Sequence, residues 1–221
     1  MPDGIGFDIY GTLVDPLEMN EHLRPIAGEK ADRMSELWRD KQIEYTFRRG
    51  LMREYEDFSV CTRQALVFAA RTLGVDLSKE DQEKLLEEYQ NLRPYPDVVP
   101  GIEALRKEGR VLVALSNGVE ATARTLLSRA GILPHLHGVV SVDDLKTFKP
   151  DPEVYRYLAR YLERMPYETW LVSSNPFDVI GAMHAGLKAA WVKRKPDAQF
   201  DPWEFEPDLI TPDLEALAEE L

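Results

Sequence analysis

Cysteine is almost absent from this chain: Cys61 stands alone among 221 residues. A single thiol cannot close an intrachain disulfide, which removes the cross-linked secreted scaffolds from consideration. Beside a helical pattern, it reads as a small buried hydrophobe. Long apolar runs are missing as well. The strongest, Val111-Leu112-Val113-Ala114-Leu115, is far too short to span a bilayer. The start, Met1-Pro2-Asp3, has neither the basic stretch nor the apolar run of a signal peptide, so a cytoplasmic protein is expected. Positive charge is in short supply, with 27 Lys and Arg against 39 Asp and Glu and a net charge of −12. A field of that sign repels phosphate backbones and anionic lipid, so neither nucleic acid nor membrane is an expected partner. A small anion in a locally basic pocket remains compatible. Histidine is scarce too. His135 and His137 sit two apart before an apolar run, and His22 and His184 lack spaced acidic or cysteine companions, so no histidine metal site is expected.

What the chain does have is 44% apolar residues in 221, enough for one good-sized core or a main domain with an insert. Short apolar runs read as buried strands at Gly4–Asp8, Val111–Ser116, Val139–Val142, Trp170–Ser173 and Ala189–Val192, with a weaker one at Asp208–Ile210. Amphipathic stretches lie between them near Ile102–Lys107, Ala121–Ala130, Pro152–Leu162 and Val179–Ala185. That alternation predicts an α/β fold, a Rossmann-like, doubly wound and mainly parallel sheet. From Pro16 to Arg93 it breaks down into three or four helical patterns, including Glu29–Arg49, Val60–Leu73 and Lys79–Leu92. The expected organisation is a core domain of residues 1–15 and 94–221, with a helical cap domain of residues 16–93 inserted after the first strand.

Ligands of such sheets bind beyond the carboxyl ends of the strands, where the strand order reverses. The polar residues that end the apolar runs are therefore the ones to inspect. They are Asp8, Ser116-Asn117, Lys149 and Ser173-Ser174-Asn175.

The segment Phe7-Asp8-Ile9-Tyr10-Gly11-Thr12-Leu13-Val14-Asp15 resembles the first motif of the haloacid dehalogenase superfamily, in which an aspartate closing the first strand is the nucleophile. Leu115-Ser116-Asn117-Gly118 is similar to the second motif, Lys149-Pro150-Asp151-Pro152 to the third, and Val172-Ser173-Ser174-Asn175-Pro176-Phe177-Asp178 occupies the fourth. The resemblance covers the whole chain, helical insert included. Phosphatases of that superfamily carry a second aspartate two residues after the nucleophile, where this chain has Tyr10. They also bind magnesium through a Gly-Asp pair where this chain has Ser173-Ser174. Magnesium prefers several carboxylate and water oxygens, and two aspartates beside a lysine make a poor cage for it. No metal and no other cofactor is expected. The branch that Asp8–Leu13 and Ser173–Asp178 resemble is the type II, L-2-haloacid dehalogenase, and Leu37–Tyr45 resembles the cap helix that supplies its halide-binding arginine, here Arg39.

That resemblance implies hydrolysis of short L-2-haloacids to D-2-hydroxyacids with inversion. Asp8 attacks the α-carbon, and an aspartyl ester forms. Lys149, at a contact of about 4 Å, contributes on the order of 4 kcal/mol to holding the carboxylate charged at an effective dielectric near 20. The backbone amides after Asp8, with Ile9 and Thr12, and Ser116 are expected to hold the substrate carboxylate. Arg39 and Asn117 are expected to cradle the departing halide. Asp178, helped by Asn175 and Ser173, is expected to position and deprotonate the water that opens the ester. Tyr155 is expected beside an active-site carboxylate, and Tyr10, Ile43, Phe58 and Phe177 around the alkyl group. Asp40, next to Arg39, is expected to weaken anion binding.

A homodimer through the Tyr45-Thr46-Phe47 and Leu51-Met52 face is the expected assembly. Two other readings stay open at this stage. One is a relative that expels a different group, such as the ring amine of a small cyclic amino acid. The other is a magnesium-dependent phosphatase with an eroded site, or the same fold kept as a binding module.

Overall fold

The computed structural model describes residues 3–221. Met1 and Pro2 lie outside the described residues, and with them the start of the expected 1–15 segment and part of the stretch read for a leader. The chain begins with β1 (Gly4–Asp8) and then runs through four helices, α1 (Met19–Ala27), α2 (Ala31–Met52), α3 (Phe58–Leu73) and α4 (Lys79–Glu88). Next come α5 (Val98–Lys107), β2 (Val111–Ser116), α6 (Glu120–Arg129) and β3 (Gly138–Ser141). They are followed by α7 (Pro152–Tyr161), β4 (Thr169–Ser173), α8 (Pro176–His184) and β5 (Lys188–Val192), and the chain closes with β6 (Leu209–Thr211) and α9 (Leu214–Glu220).

Among the described residues the six strands form one parallel sheet in the order β3-β2-β1-β4-β5-β6. The order reverses at β1, which has β2 on one side and β4 on the other. Every residue of β1 is buried, as a strand covered on both faces requires. On one face its glycines let α7 come close, since a side chain at Gly6 would meet Leu158 at 2.5 Å. On the other, Ile5 and Phe7 are fully buried.

Local signals explain where the helices start. Asp57 caps α3 by accepting from Ser59 N at 2.8 Å, Ser78 and Asp81 form a capping box at α4, and Asp151 accepts from Glu153 N at the start of α7. The largest displacements of a helix start are at α5, which begins at Val98 rather than near Ile102, and α8, which begins at Pro176 rather than near Val179. In both a proline lies in the first turn, where its missing N–H costs nothing, so it opens the helix instead of delaying it.

The helices α1 to α4 pack on one another, and the chain enters and leaves them side by side. Val14 and Pro94 form an antiparallel bridge, and Tyr95 N donates to Leu13 O at 3.1 Å. Cys61 is buried within α3, and burial pushes its thiol up to about 11, which keeps it protonated at neutral pH. No helix among the described residues is long and apolar enough to cross a membrane.

Candidate active site

Asp8 ends β1 at the reversal of strand order, with Ser116 at the end of β2 and Ser173 at the end of β4 beside it. The chain then turns sharply. Ile9 O accepts from the amides of Thr12, Leu13 and Val14, and Gly11 N donates to Val14 O at 2.7 Å. Gly11 sits at φ 89°, a conformation that side chains rarely adopt. This turn brings Thr12 back onto the strand end.

The Asp8 side chain is almost enclosed, and its two oxygens are treated differently. Oδ2 accepts from Thr12 Oγ1 at 2.7 Å, Asn175 Nδ2 at 2.8 Å and Ser173 Oγ at 3.3 Å. Oδ1 accepts from Lys149 Nζ alone, at 2.9 Å. The Ser173 hydroxyl accepts from Asn175 N at 3.1 Å, which turns its proton toward Asp8. Asn175 occupies the cap position of α8 but makes no side-chain cap bond. Its amide is spent on Asp8 and on Tyr10 O at 3.1 Å.

Lys149 Nζ bridges Asp8 and Asp178, 2.9 Å from an oxygen of each. Burial alone would push this ammonium down, but Asp178 and then Asp8 outweigh it and hold the group above its usual value. Burial raises Asp178 above the ordinary carboxylate range, against the pull of Lys149. Two carboxylates thus share one cation in a dry site. The ammonium stands between them, where a magnesium ion would need its oxygens, and Ser173-Ser174 add only neutral hydroxyls. This donor set does not fit magnesium.

Several expectations change. Asp178 is fully buried, and both its oxygens are engaged, Oδ2 by Lys149 and Oδ1 by the Tyr155 hydroxyl at 2.8 Å. Complete burial behind Lys149 and Tyr155 keeps bulk water from this carboxylate, and it argues against Asp178 as the deprotonating base. Tyr155 is likewise enclosed and faces Asp178, so it is not a substrate contact. Thr12 is fully buried, with its hydroxyl on Asp8 and accepting from Ser174 N at 2.8 Å, so it serves the nucleophile and not the substrate. The Ile9 side chain is buried too, which leaves only its backbone amide for a ligand. Asp40 is exposed and forms no ion pair with Arg39 among the described residues, because consecutive helical side chains point in different directions.

Tyr155 reaches Asp178 over Gly181, where an added methyl group would lie 2.6 Å from the tyrosine oxygen. Gly181→Ala is therefore expected to destabilise the fold by about 1–3 kcal/mol, the usual cost of overpacking. Urea unfolding of this variant alongside Tyr155→Phe checks it. Unchanged stability would mean that the approach is not tight.

The wall on the side of the four helices is a row on α2. Arg39, Ile43 and Phe47, spaced four apart, share one helix face, and the Phe47 ring lies 5.0 Å from that of Phe177 on α8. Arg39 donates to Tyr10 O at 3.1 Å and to Gln42 Oε1 at 2.8 Å. Phe58 is buried 5.5 Å from the Tyr10 ring, which also stacks on Tyr89 at 5.4 Å. Because Phe47 turns inward and Thr46 is buried, the expected association face shrinks to the end of α2, where Leu51 is 88% and Met52 66% exposed. On the β2 side, Ser116 Oγ accepts from Gly118 N at 2.9 Å and keeps its proton to donate. Asn117 Oδ1 accepts from Lys149 N at 3.0 Å, so its NH2 points the other way.

Sequence reasoning gave Ser174 no role of its own and passed over Gln42, Tyr89 and Arg194. Ser174 donates to Gly11 O and fixes the turn. Arg194, just past β5, grips Asp97 with Nη1 at 2.7 and 2.8 Å and donates from Nη2 to Thr12 O at 2.6 Å. Its guanidinium lies 4.2 Å over Tyr95, and Asp97 also accepts from Leu214 N at the start of α9. Only the position of Ser174 in the fourth motif offered a signal.

A sheet of this order with an enclosed aspartate at the first strand end suits one class of hydrolase. The chain is a member of it, since the family model of haloacid dehalogenase-like hydrolases matches residues 2–186. Among curated relatives it is similar to (S)-2-haloacid dehalogenase 2 of Pseudomonas sp. (strain CBS-3), 33% identical over 97% of this chain and 93% of that protein. It is also similar to (S)-2-haloacid dehalogenase 4A of Burkholderia cepacia, 35% identical over 89% of this chain and 86% of that one. Its fold matches L-2-haloacid dehalogenase from Xanthobacter autotrophicus with chloropropionic acid covalently bound, at a TM-score of 0.93 and 29% identity, covering 99% and 98% of the two chains.

Proposed function

We propose that this protein hydrolyses the carbon–halogen bond of short L-2-haloacids, without a metal, through an ester on Asp8. The observation that carries the reading is the asymmetry of the Asp8 carboxylate, with three donors on Oδ2 and one on Oδ1. Oδ1 keeps the electron pair that attacks. It displaces halide from the far side of the α-carbon, so the C–O bond forms as the C–halogen bond breaks and the centre inverts. Halide departs with the bonding pair and needs no proton, in keeping with a site that has Tyr10 where a leaving-group acid would stand. The same feature argues against a ring amine as leaving group, because a tyrosine stands in place of the carboxylic acid that would protonate it.

Oδ2 then becomes the ester carbonyl. Thr12, Asn175 and Ser173 are already aimed at it, and they stabilise the oxyanion that forms when water adds to the carboxyl carbon. Collapse breaks the bond to Oδ1 and releases a D-2-hydroxyacid. One water proton leaves with the product, the other goes to solvent, and the water oxygen stays in Asp8. Asp178 acts through Lys149, holding its ammonium against Asp8, and Tyr155 orients Asp178.

Substrate carboxylate is held by Ser116 and the amides of Ile9 and Tyr10, since those of residues 11–14 are spent within the turn. Arg39 and the Asn117 NH2 receive the halide, and Tyr10, Ile43, Phe58 and Phe177 surround the alkyl group. Residues 16–93 form the cap over a core of 1–15 and 94–221. The exposed end of α2 supports a homodimer, and the lone buried thiol suits a reducing cytoplasm.

Halide release from the two enantiomers of 2-chloropropionate, assayed with EDTA present, tests the reading. The L enantiomer is expected to give D-lactate and chloride at an undiminished rate, and the D enantiomer to be inert. Release that requires magnesium, or phosphatase activity in its place, would overturn it.

A further inference from the structure

Arg39, in a strongly acidic protein, is held beside the strand-end site by neutral groups. Its hydrogen-bond partners are neutral oxygens, Gln42 Oε1 and Tyr10 O with the Tyr89 hydroxyl beside them, and no carboxylate forms an ion pair with it among the described residues. Gln42 itself is fully buried, and both the oxygen and the nitrogen of its amide are bonded. Its Oε1 also accepts from the Tyr89 hydroxyl at 3.0 Å, and its Nε2 donates to Thr62 Oγ1 at 2.7 Å. Thr62 in turn donates to Phe58 O at 2.7 Å, and Trp38 Nε1 donates to Thr62 O at 2.8 Å. The amide orientation is forced by this network, because Thr62 has committed its only proton and must accept.

We propose that Gln42 is a positioning residue that sets the strength of the halide site. It aims the Arg39 guanidinium and, being neutral, leaves the full positive charge uncompensated for the departing anion. A carboxylate at the same place would give a bidentate-capable partner of opposite charge and cancel most of the field that the halide meets. This inference rests on Arg39 receiving the halide. Its chemical signature is a dependence on the leaving group. Chloride is a poorer leaving group than iodide and concentrates its charge more, so it depends more on a donor that acts where charge develops.

The test is single-turnover alkylation of the full-length protein with 2-chloro-, 2-bromo- and 2-iodopropionate, together with inhibition by added bromide. Gln42→Glu is expected to slow alkylation by about 100-fold for chloride and about 10-fold for iodide, within the range seen when one transition-state donor is lost. The bromide inhibition constant should rise about 10-fold, as a weakened anion contact predicts. Gln42→Met, neutral and of similar length, covers the case in which the buried carboxylate prevents folding, and should show the same halide order with smaller factors. A slowing equal for all three halides, with bromide inhibition unchanged, would overturn the proposal, since a merely structural role affects every leaving group alike. Arg39→Ala run in parallel separates the two readings. If it too lacks a halide order, the assignment of Arg39 falls; if it has one and the Gln42 variants do not, only the role of Gln42 falls.

Discussion

Asp8→Asn is expected to lower turnover on the order of 10⁴-fold or more, the scale on which covalent enzymes lose activity when the nucleophile is removed, while the protein still folds. The change keeps the shape of the side chain at a strand end whose remaining residues supply the packing, so thermal unfolding should shift by only a few degrees. The amide cannot present the anionic Oδ1 that the attack requires. Intact-protein mass spectrometry, which distinguishes Asn from an Asp regenerated by slow hydrolysis, must accompany the rate. A variant that retains more than a few per cent of the wild-type rate as Asn would remove Asp8 as the attacking group. The complementary experiment keeps the wild type. One turnover in heavy-oxygen water with enzyme in excess should place the label in Asp8 and leave the first hydroxyacid unlabelled, because the product carries away Oδ1. Label in the product and none in the protein would mean that water attacks the substrate directly.

Lys149→Met is the second large effect, and it acts on stability as well as rate. Asp8 is 8% exposed and Asp178 0%, and Lys149 is the cation within 2.9 Å of both. Removing one member of a buried ion set leaves uncompensated charge and typically costs about 3–5 kcal/mol. The pH dependence follows from the sign. Without the ammonium, burial raises the pKa of Asp178 still further above its unfolded value. The folded form therefore binds protons that the unfolded form releases, and the loss should shrink as pH falls toward the ordinary carboxylate range. Urea unfolding of wild type and variant at neutral and mildly acidic pH measures it. A deficit that is constant with pH, or larger in acid, would show that lost packing dominates, and that Lys149 does not neutralise the pair. Activity should be undetectable at neutral pH in either case.

The strands were largely legible in the sequence because burial on both faces leaves little else to write. Gly4–Asp8 and Val111–Ser116 end at the residues where the apolar run meets a polar one, and the other strands shift by about one residue. Helix starts were less legible where proline misled, as at Val98 and Pro176, and α1 lay in a charged stretch with no distinct boundary of its own. Within the site, motif spacing identified the residues that gather at Asp8, but spacing carries no information on which atoms remain free. Asp178 reads from the sequence as the group that deprotonates the water, and only its complete burial against Lys149 and Tyr155 argues otherwise. Asp40 is adjacent to Arg39 in sequence and away from it in space. Gln42 is an unremarkable amide on a helix until three chains converge on it, and nothing in its neighbours' identities announces that.

One consequence concerns the far end of the chain. The family match stops at residue 186, whereas the guanidinium that grips the nucleophile turn is at position 194 and is itself braced through Asp97 against the first residue of α9. A piece trimmed to the matched boundary would keep each motif and discard the brace on Thr12 O. Alignment of the Asp8 turn thus draws on a tail that lies beyond the family model but within the span shared with the similar dehalogenases, and a chimaera joined near that boundary would need a matching tail to keep the brace.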